Sequence, residues 1–231
     1  MSSKPRQALE SWIKSLKIKA DRVLDVGGAQ KPVKGRTGEW DVKEYLISDI
    51  EFPHDNSPKP DIVFDLSKFK YNWRIIGHNG IALDEPGCGG DHPEDVEIET
   101  VPDIDNSFKY CENFDVVFCL EVMEYVSDPV QAIKNLNRLL KQGGKLYISF
   151  NFSYPTHNPP GLDYFRYTRF GVIKLLEDNG FKIDKLTPRT CEMNTGYPEL
   201  MQFYSKQGMK YTKDIKGIHE ETGHLCECHK L

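Results

Sequence analysis

Apolar residues at Ala8, Leu9, Trp12, Ile13 and Leu16 recur at the spacing of one helix face, so the chain should open with an amphipathic helix over residues 5–18, with Pro5 suited to its first turn. The period then changes. RVLDV at 22–26 is a short apolar run halted by Gly27 and Gly28, the pattern of a buried strand leading into a glycine turn. Further strands are expected at residues 45–48, ending on Asp49, and at DIVF, 61–64, ending on Asp65. Residues 66–113 break the rhythm with Pro86, Gly87, Gly89, Gly90, Pro93 and Pro102 set among acids. Loops of such length within a domain are usually functional or unstructured.

Regularity returns with FDVVFCL at 114–120, a continuous apolar run typical of a parallel strand covered on both faces. Asp128 and Pro129 supply the cap and first turn of a helix whose Val130, Ile133, Leu136 and Leu140 share a stripe, and Gly143 with Gly144 should end it. KLYISF at 145–150 is the next strand, followed by an aromatic loop over 151–167. Thr168 can cap a helix running to Asn179, closed by Gly180, after which FKIDKL at 181–186 and MQFYS at 201–205 are late strands. Strands alternating with helices predict the α/β class: a doubly wound, mostly parallel sheet with helices on both faces. Ligands of such sheets bind beyond the carboxyl ends of the strands, where the winding reverses.

A chain of 231 residues holds one domain with a sizeable core, here an N-terminal helix (1–20), a main domain (21–206) with an insertion at about 70–110, and a C-terminal tail (207–231). Its 39% hydrophobic and 28% charged residues are those of a globular protein. Nothing approaches the roughly 18–20 consecutive apolar residues of a membrane span, and the basic N-terminus has no continuous signal-peptide core, so a cytoplasmic protein is expected. Six scattered cysteines do not form a disulfide framework. The net charge of -5 speaks against a nucleic-acid partner. Oligomeric state is left open. The acids gather in residues 84–105, which contain no Lys or Arg and read as a solvated loop.

The candidate chemistry lies where the early strands end. Gly27 and Gly28 allow the backbone a sharp turn and close approach to a ligand. Asp49 follows at the distance at which an acid closing the second strand meets ribose hydroxyls, and Asp65, closing the third, can accept from an adenine amino group. Taken singly, Asp25 only orients a turn, the glycine pair is a tight turn, and Asp49 and Asp65 are caps or solvated loop residues. The ordered combination describes a pocket for an adenosine-containing cofactor.

VLDVGG at 23–28, Asp49, DIVFDL at 61–66, FDVVFCLEVMEYVSDP at 114–129 and LLKQGGKLYISF at 139–150 together resemble the class I S-adenosylmethionine-dependent methyltransferases, over residues 22–186. The resemblance implies a Rossmann-like methyltransferase domain with a seven-stranded sheet that includes an antiparallel hairpin strand. It also implies S-adenosyl-L-methionine as cofactor, bound by Asp25, Gly27 and Gly28 near its methionine part, Asp49 at the ribose, Asp65 and Leu66 at the adenine, and the turn of Cys119, Leu120 and Glu121. The sequence departs from the family in three places. GGAQKP offers Ala29 and Gln30 where a third glycine is common. Pro32, Gly35 and Gly38 leave the first crossover without a helix. Tyr125 stands where many relatives have His.

Methyl transfer to a hydroxyl also requires a proton acceptor, and neutral His suits that near pH 7. His157 is the catalytic candidate, within NFSYPTHNPPGLDYFRYTRF at 151–170, a stretch similar to the loop of some sugar and small-metabolite methyltransferases. Tyr154, Tyr164 and Tyr167 can stack on an acceptor, a small molecule or glycan, and Arg166 can bind an anion on it. The alternative is that these residues brace the loop and fill core. His219, His224, Cys226, Cys228 and His229 match no common zinc spacing, so no metal is assigned and the end of the chain is expected to be unstructured. Two other functions compete: a cofactor-binding module of the same fold without turnover, and a nicotinamide oxidoreductase, which the reduced glycine loop and EVMEYV disfavour.

Overall fold

The computed structural model describes residues 4–50, 58–67, 75–76, 82–83, 110–153, 163–190 and 221–231. In chain order these form α1 (Lys4–Ser15), β1 (Lys17–Val26), β2 (Glu39–Asp49), β3 (Ile62–Val63), β4 (Ile75–Ile76), β5 (Ala82–Leu83) and β6 (Phe114–Cys119). A short 3-10 helix (Met123–Tyr125) then precedes α2 (Pro129–Leu139), β7 (Leu140–Asn151), α3 (Arg169–Glu177), β8 (Phe181–Thr190) and β9 (Glu221–Lys230). Seven strands make one sheet in the order β3-β2-β1-β6-β7-β9-β8, in which β9 alone runs antiparallel to its neighbours, while β4 and β5 pair separately. Most of the acidic insertion lies outside the described residues.

Strand alternation divides the core into two layers. Val117 and Cys119 of β6, Leu146, Ile148 and Phe150 of β7, and Cys226 and Cys228 of β9 face α2 and α3, where they meet Ile133, Leu136, Val172 and Leu176. Val116 and Phe118, Tyr147 and Leu225 face α1, where Leu9, Trp12, Ile13 and Leu16 cover them. A strand buried on both sides has no polar position to spare, which is why Val116–Cys119 is an unbroken apolar run after Asp115 at the strand's partly exposed start. As the glycines and proline predict, no helix joins β1 to β2. The connecting loop is strapped to α1 instead: Val33 is buried in the α1 layer, and Arg36 donates to both Glu10 oxygens, at 3.1 and 3.0 Å. Partial burial alone would raise the Glu10 pKa, but hydrogen bonds from Lys31 and Arg36 hold it below the usual range.

The structure differs from the sequence reading at several boundaries. β1 and β2 begin well before the apolar runs: Ile18, Ala20, Trp40 and Val42 alternate into the α1 layer, and on the other face opposite charges pair across the strands, Lys17 with Glu39, Lys19 with Asp41 at 3.9 Å and Arg22 with Glu44 at 2.6 Å. α2 is capped by Asp128, which accepts from the Gln131 N–H at 3.0 Å, but it stops at Leu139, short of the glycine pair. The fully buried Leu140 is already paired with Phe114, so the chain leaves the helix early and Gly143 and Gly144 lie within the irregular start of β7. α3 begins as predicted, with the Thr168 hydroxyl accepting from the Gly171 N–H at 3.2 Å. The strand expected at 201–205 lies outside the described residues.

The largest correction is at the end of the chain. Residues 221–230 are no loose terminus but strand β9, inserted between β7 and β8. Cys226 and Cys228 behave here as small apolar residues, 0% and 1% exposed, and burial pushes the Cys226 thiol up to about 12. His224 lies 3.2 Å from the Tyr167 carbonyl oxygen, while His229 meets Asp184 at 2.8 Å, so these two histidines are bound into separate parts of the sheet, and His219 lies outside the described residues.

Candidate functional site

The strand order places a winding reversal between β1 and β6. Val26 pairs with both Ser48 and Cys119, and Asp49 pairs with Val63, so the turns that follow β1, β2, β3 and β6 line one edge of the sheet. At that edge Gly27 has φ +73° and donates to the Ser48 carbonyl at 2.7 Å. A Cβ on Gly27 would stand 2.3 Å from Cγ2 of Val122, so glycine is required for the β1 turn to meet the β6 turn. Asp49 reaches under the same loop, accepting from the Ala29 N–H at 3.1 Å and the Ile50 N–H at 2.9 Å. The Phe64 N–H donates to the Asp49 carbonyl at 3.0 Å, which brings Asp65 to its side. Asp65 in turn fixes its own turn by accepting from the Ser67 N–H and hydroxyl, at 3.0 and 2.6 Å.

Other residues of the predicted pocket point inward. Asp25 is 3% exposed, and its carboxylate takes the Tyr45 hydroxyl at 2.5 Å and the Val33 N–H at 2.7 Å. It organises the glycine loop from behind. Burial raises its pKa to about 6 even though these two hydrogen bonds oppose the shift. Leu66 and Cys119 are also core side chains, so only their backbones are available at the edge, and the Leu66 carbonyl is taken by Asn135 at 2.9 Å.

Beside the β6 turn lies a polar cluster that the sequence reading missed. Arg189 of β8 is fully buried, and its guanidinium donates to both Glu121 oxygens at 2.6 and 3.0 Å, to Asn151 Oδ1 at 3.0 Å and to the Pro5 carbonyl at 2.8 Å. Glu121 also receives the Ser149 hydroxyl at 3.0 Å, and its own N–H donates to that oxygen at 2.8 Å. The Glu121 carboxylate is therefore occupied within the protein. Asn151 donates to Glu124 Oε1 at 2.7 Å, while Glu124 Oε2 is buried with no hydrogen-bond partner among the described residues. Burial, reinforced by the negative charge of Glu121, lifts the Glu124 pKa to about 8 and keeps this carboxyl protonated at neutral pH.

A folded chain that holds this proton more tightly than the unfolded one loses stability as pH rises from the ordinary carboxyl range through about 8. Glu124→Gln removes the dependence. Its melting temperature should match the parent near pH 5 and exceed it by several degrees at pH 9. Equal melting curves for the two proteins at pH 9 would show that Glu124 ionises without cost.

The predicted acceptor loop is divided. His157 and Tyr154 lie outside the described residues. Tyr164 is 51% exposed beside the β6 turn, its N–H donating to the Glu124 carbonyl at 2.7 Å. Tyr167 does not face a ligand but fills core, its hydroxyl donating to the Met123 carbonyl at 2.8 Å. Arg166 is paired with Asp163, Nη2 donating to Oδ2 at 2.6 Å, so much of its charge is compensated within the loop.

Residues 95–148 match the methyltransferase domain family. A ubiquinone biosynthesis O-methyltransferase of Coxiella burnetii is 41% identical over 56 residues, covering 24% of this chain and 20% of that protein. Its namesake in Xanthomonas oryzae pv. oryzae is 40% identical over 55 residues, 24% of this chain and 22% of that protein. The chain therefore spans about one fifth of the length of these curated relatives. The solved S-adenosylmethionine dependent methyltransferase from Mesorhizobium loti aligns over 99% of both chains with a TM-score of 0.52 at 12% identity. A structure from Bacillus halodurans C-125 aligns over 99% of both chains with a TM-score of 0.52 at 14% identity, a likeness of fold. In its seven-stranded sheet and in the sequence of residues 95–148, the chain is thus similar to the class I S-adenosylmethionine-dependent methyltransferases.

Proposed function

We propose that the chain is an S-adenosylmethionine-dependent methyltransferase acting on an oxygen atom of a small molecule or sugar. The observation that carries this reading is the alignment of Gly27, Asp49, Asp65 and the Cys119–Glu121 turn along one edge of the sheet, at its winding reversal. These residues suit the donor chemically. Asp49, both of whose oxygens accept a backbone N–H at the strand end, sets a carboxylate acceptor where ribose hydroxyls can donate. Asp65 stands beside it for the adenine edge, and the Gly27 turn lets backbone approach the methionine part. The donor's sulfonium supplies an electrophilic methyl group. The protein has then to align the acceptor, exclude water and take a proton.

Oxygen as the methylated atom is supported by the name of the Coxiella relative, an O-methyltransferase. The proton acceptor we assign is His157, on sequence grounds alone. Asp49→Ala should weaken binding of S-adenosylhomocysteine by roughly tenfold or more in titration calorimetry, since a charge-assisted acceptor is lost. His157→Ala should leave that affinity unchanged and lower turnover by about a hundredfold or more with an active acceptor. Turnover at the parent rate would remove His157 from the mechanism. Donor binding without methylated product across a panel of hydroxylated acceptors would favour the binding module.

A further inference from the structure

Glu121 has φ +59°, a left-handed backbone that is energetically unfavourable for a residue bearing a Cβ. It stands in the turn after β6, next to Val122, whose side chain lies against Gly27. The Ser149 hydroxyl accepts the Glu121 N–H at 2.8 Å, and the Glu121 side chain is held by Arg189. Its guanidinium grips both Glu121 oxygens, at 2.6 and 3.0 Å, while two further donations, to Asn151 at 3.0 Å and Pro5 at 2.8 Å, fix it against the end of β7 and the start of α1. The Arg189 side chain is 1% exposed. Buried ion pairs are often no more stabilising than apolar side chains of similar size, so stability alone does not account for this one.

We propose that Arg189 is a positioning residue for the donor pocket: by clamping Glu121 it holds the β6 turn in the left-handed shape that sets Val122 against Gly27. The inference rests on reading the strand-end edge as the donor site. A lysine, with a single ammonium centre, cannot span both Glu121 oxygens while also reaching Asn151 and Pro5.

The decisive comparison is between two double variants, Arg189→Met/Glu121→Gly and Arg189→Met/Glu121→Ala. Each removes both charges of the pair, yet only glycine accepts positive φ without the clamp. Titration with S-adenosylhomocysteine should find the glycine variant within about threefold of the parent affinity and the alanine variant roughly tenfold weaker or more. A purely structural ion pair predicts equal affinities for the two, and that result would overturn the proposal. Arg189→Lys, which retains the charge, provides an independent reading if the double variants do not fold. It should bind roughly tenfold more weakly than the parent, and parent-like binding would also count against the clamp. If the unaltered chain does not bind S-adenosylhomocysteine at all, the functional reading falls and this inference with it. Equal glycine and alanine variants, beside a parent that binds, dispose of the inference alone.

Discussion

A chain ending at residue 220 is expected to show no cooperative unfolding transition. β9 pairs with Lys145–Asn151 on one side and with Phe181–Thr190 on the other, so its removal opens two interior edges of the sheet rather than one outer edge. It also takes Leu225, Cys226 and Cys228 out of the two core layers, with the buried Thr222 and His224. Burial of a Val- or Leu-sized side chain contributes roughly 1.5–3 kcal/mol, and a whole domain is stable by only about 5–15 kcal/mol. Losing the strand and its hydrogen bonds should exceed that margin. Near-UV circular dichroism and urea titration of the shortened chain provide the check. A sharp transition with the parent's near-UV spectrum would mean that β7 and β8 close the sheet without β9.

Gly27→Ala should be the most damaging single substitution at the edge of the sheet. The left-handed backbone at φ +73° costs alanine roughly 1–2 kcal/mol. Its Cβ would also stand 2.3 Å from Cγ2 of Val122, and relieving such an overlap typically costs about 1–3 kcal/mol. The two add to about 2–5 kcal/mol because they act on different coordinates, a backbone torsion and a side-chain contact. Since the displaced Val122 belongs to the β6 turn, the effect should reach the proposed donor pocket and weaken S-adenosylhomocysteine binding by more than about tenfold. Chemical denaturation and titration of the same preparation separate the two consequences. Parent-like values in both would show that the turn can shift freely and that neither glycine nor Val122 defines the pocket.

The middle of the chain was the most legible part. The apolar run at 116–119 and the Asp128 cap each express one physical constraint and appear in the structure as read, whereas of the helix stripe Ile133 and Leu136 are buried, Val130 is exposed and Leu140 belongs to β7. The segment from 114 to 148, with EVMEYV and most of GGKLYISF, also falls within the family match. Gly27, Asp49 and Asp65 could be located because a strand end followed by a glycine or an acid is a local pattern. Long-range compensation was not legible. The outer halves of β1 and β2 carry charges on one face, paired with opposite charges on the neighbouring strand, while Ile18, Ala20, Trp40 and Val42 alternate with them and pack into the α1 layer. β9 was obscured by its cysteines, which suggest ligands when taken alone and act as core when paired.

Arg189 was hidden by a β-bulge. The register of β8 against β9 shifts between Ile183 and Lys185, so Ile183 and Leu186 both face the α2 and α3 layer although they are three positions apart. Strict alternation from Phe181 would put Arg189 in that same layer. The bulge turns it instead to the α1 side, within reach of Pro5 and Glu121. Glu124 was visible within EVMEYV, but its protonation depends on a burial that no local pattern reveals.

The position of β9 also sets a schedule for biosynthesis. Translation delivers β7 and then β8 before the strand that must lie between them. A nascent chain that has released β8 from the ribosome but still holds residues 221–230 within it cannot complete this half of its sheet, and it presents two unpaired edges meanwhile. Pausing in that interval would prolong the opportunity for holdase chaperones or for contact with other chains on the same polysome.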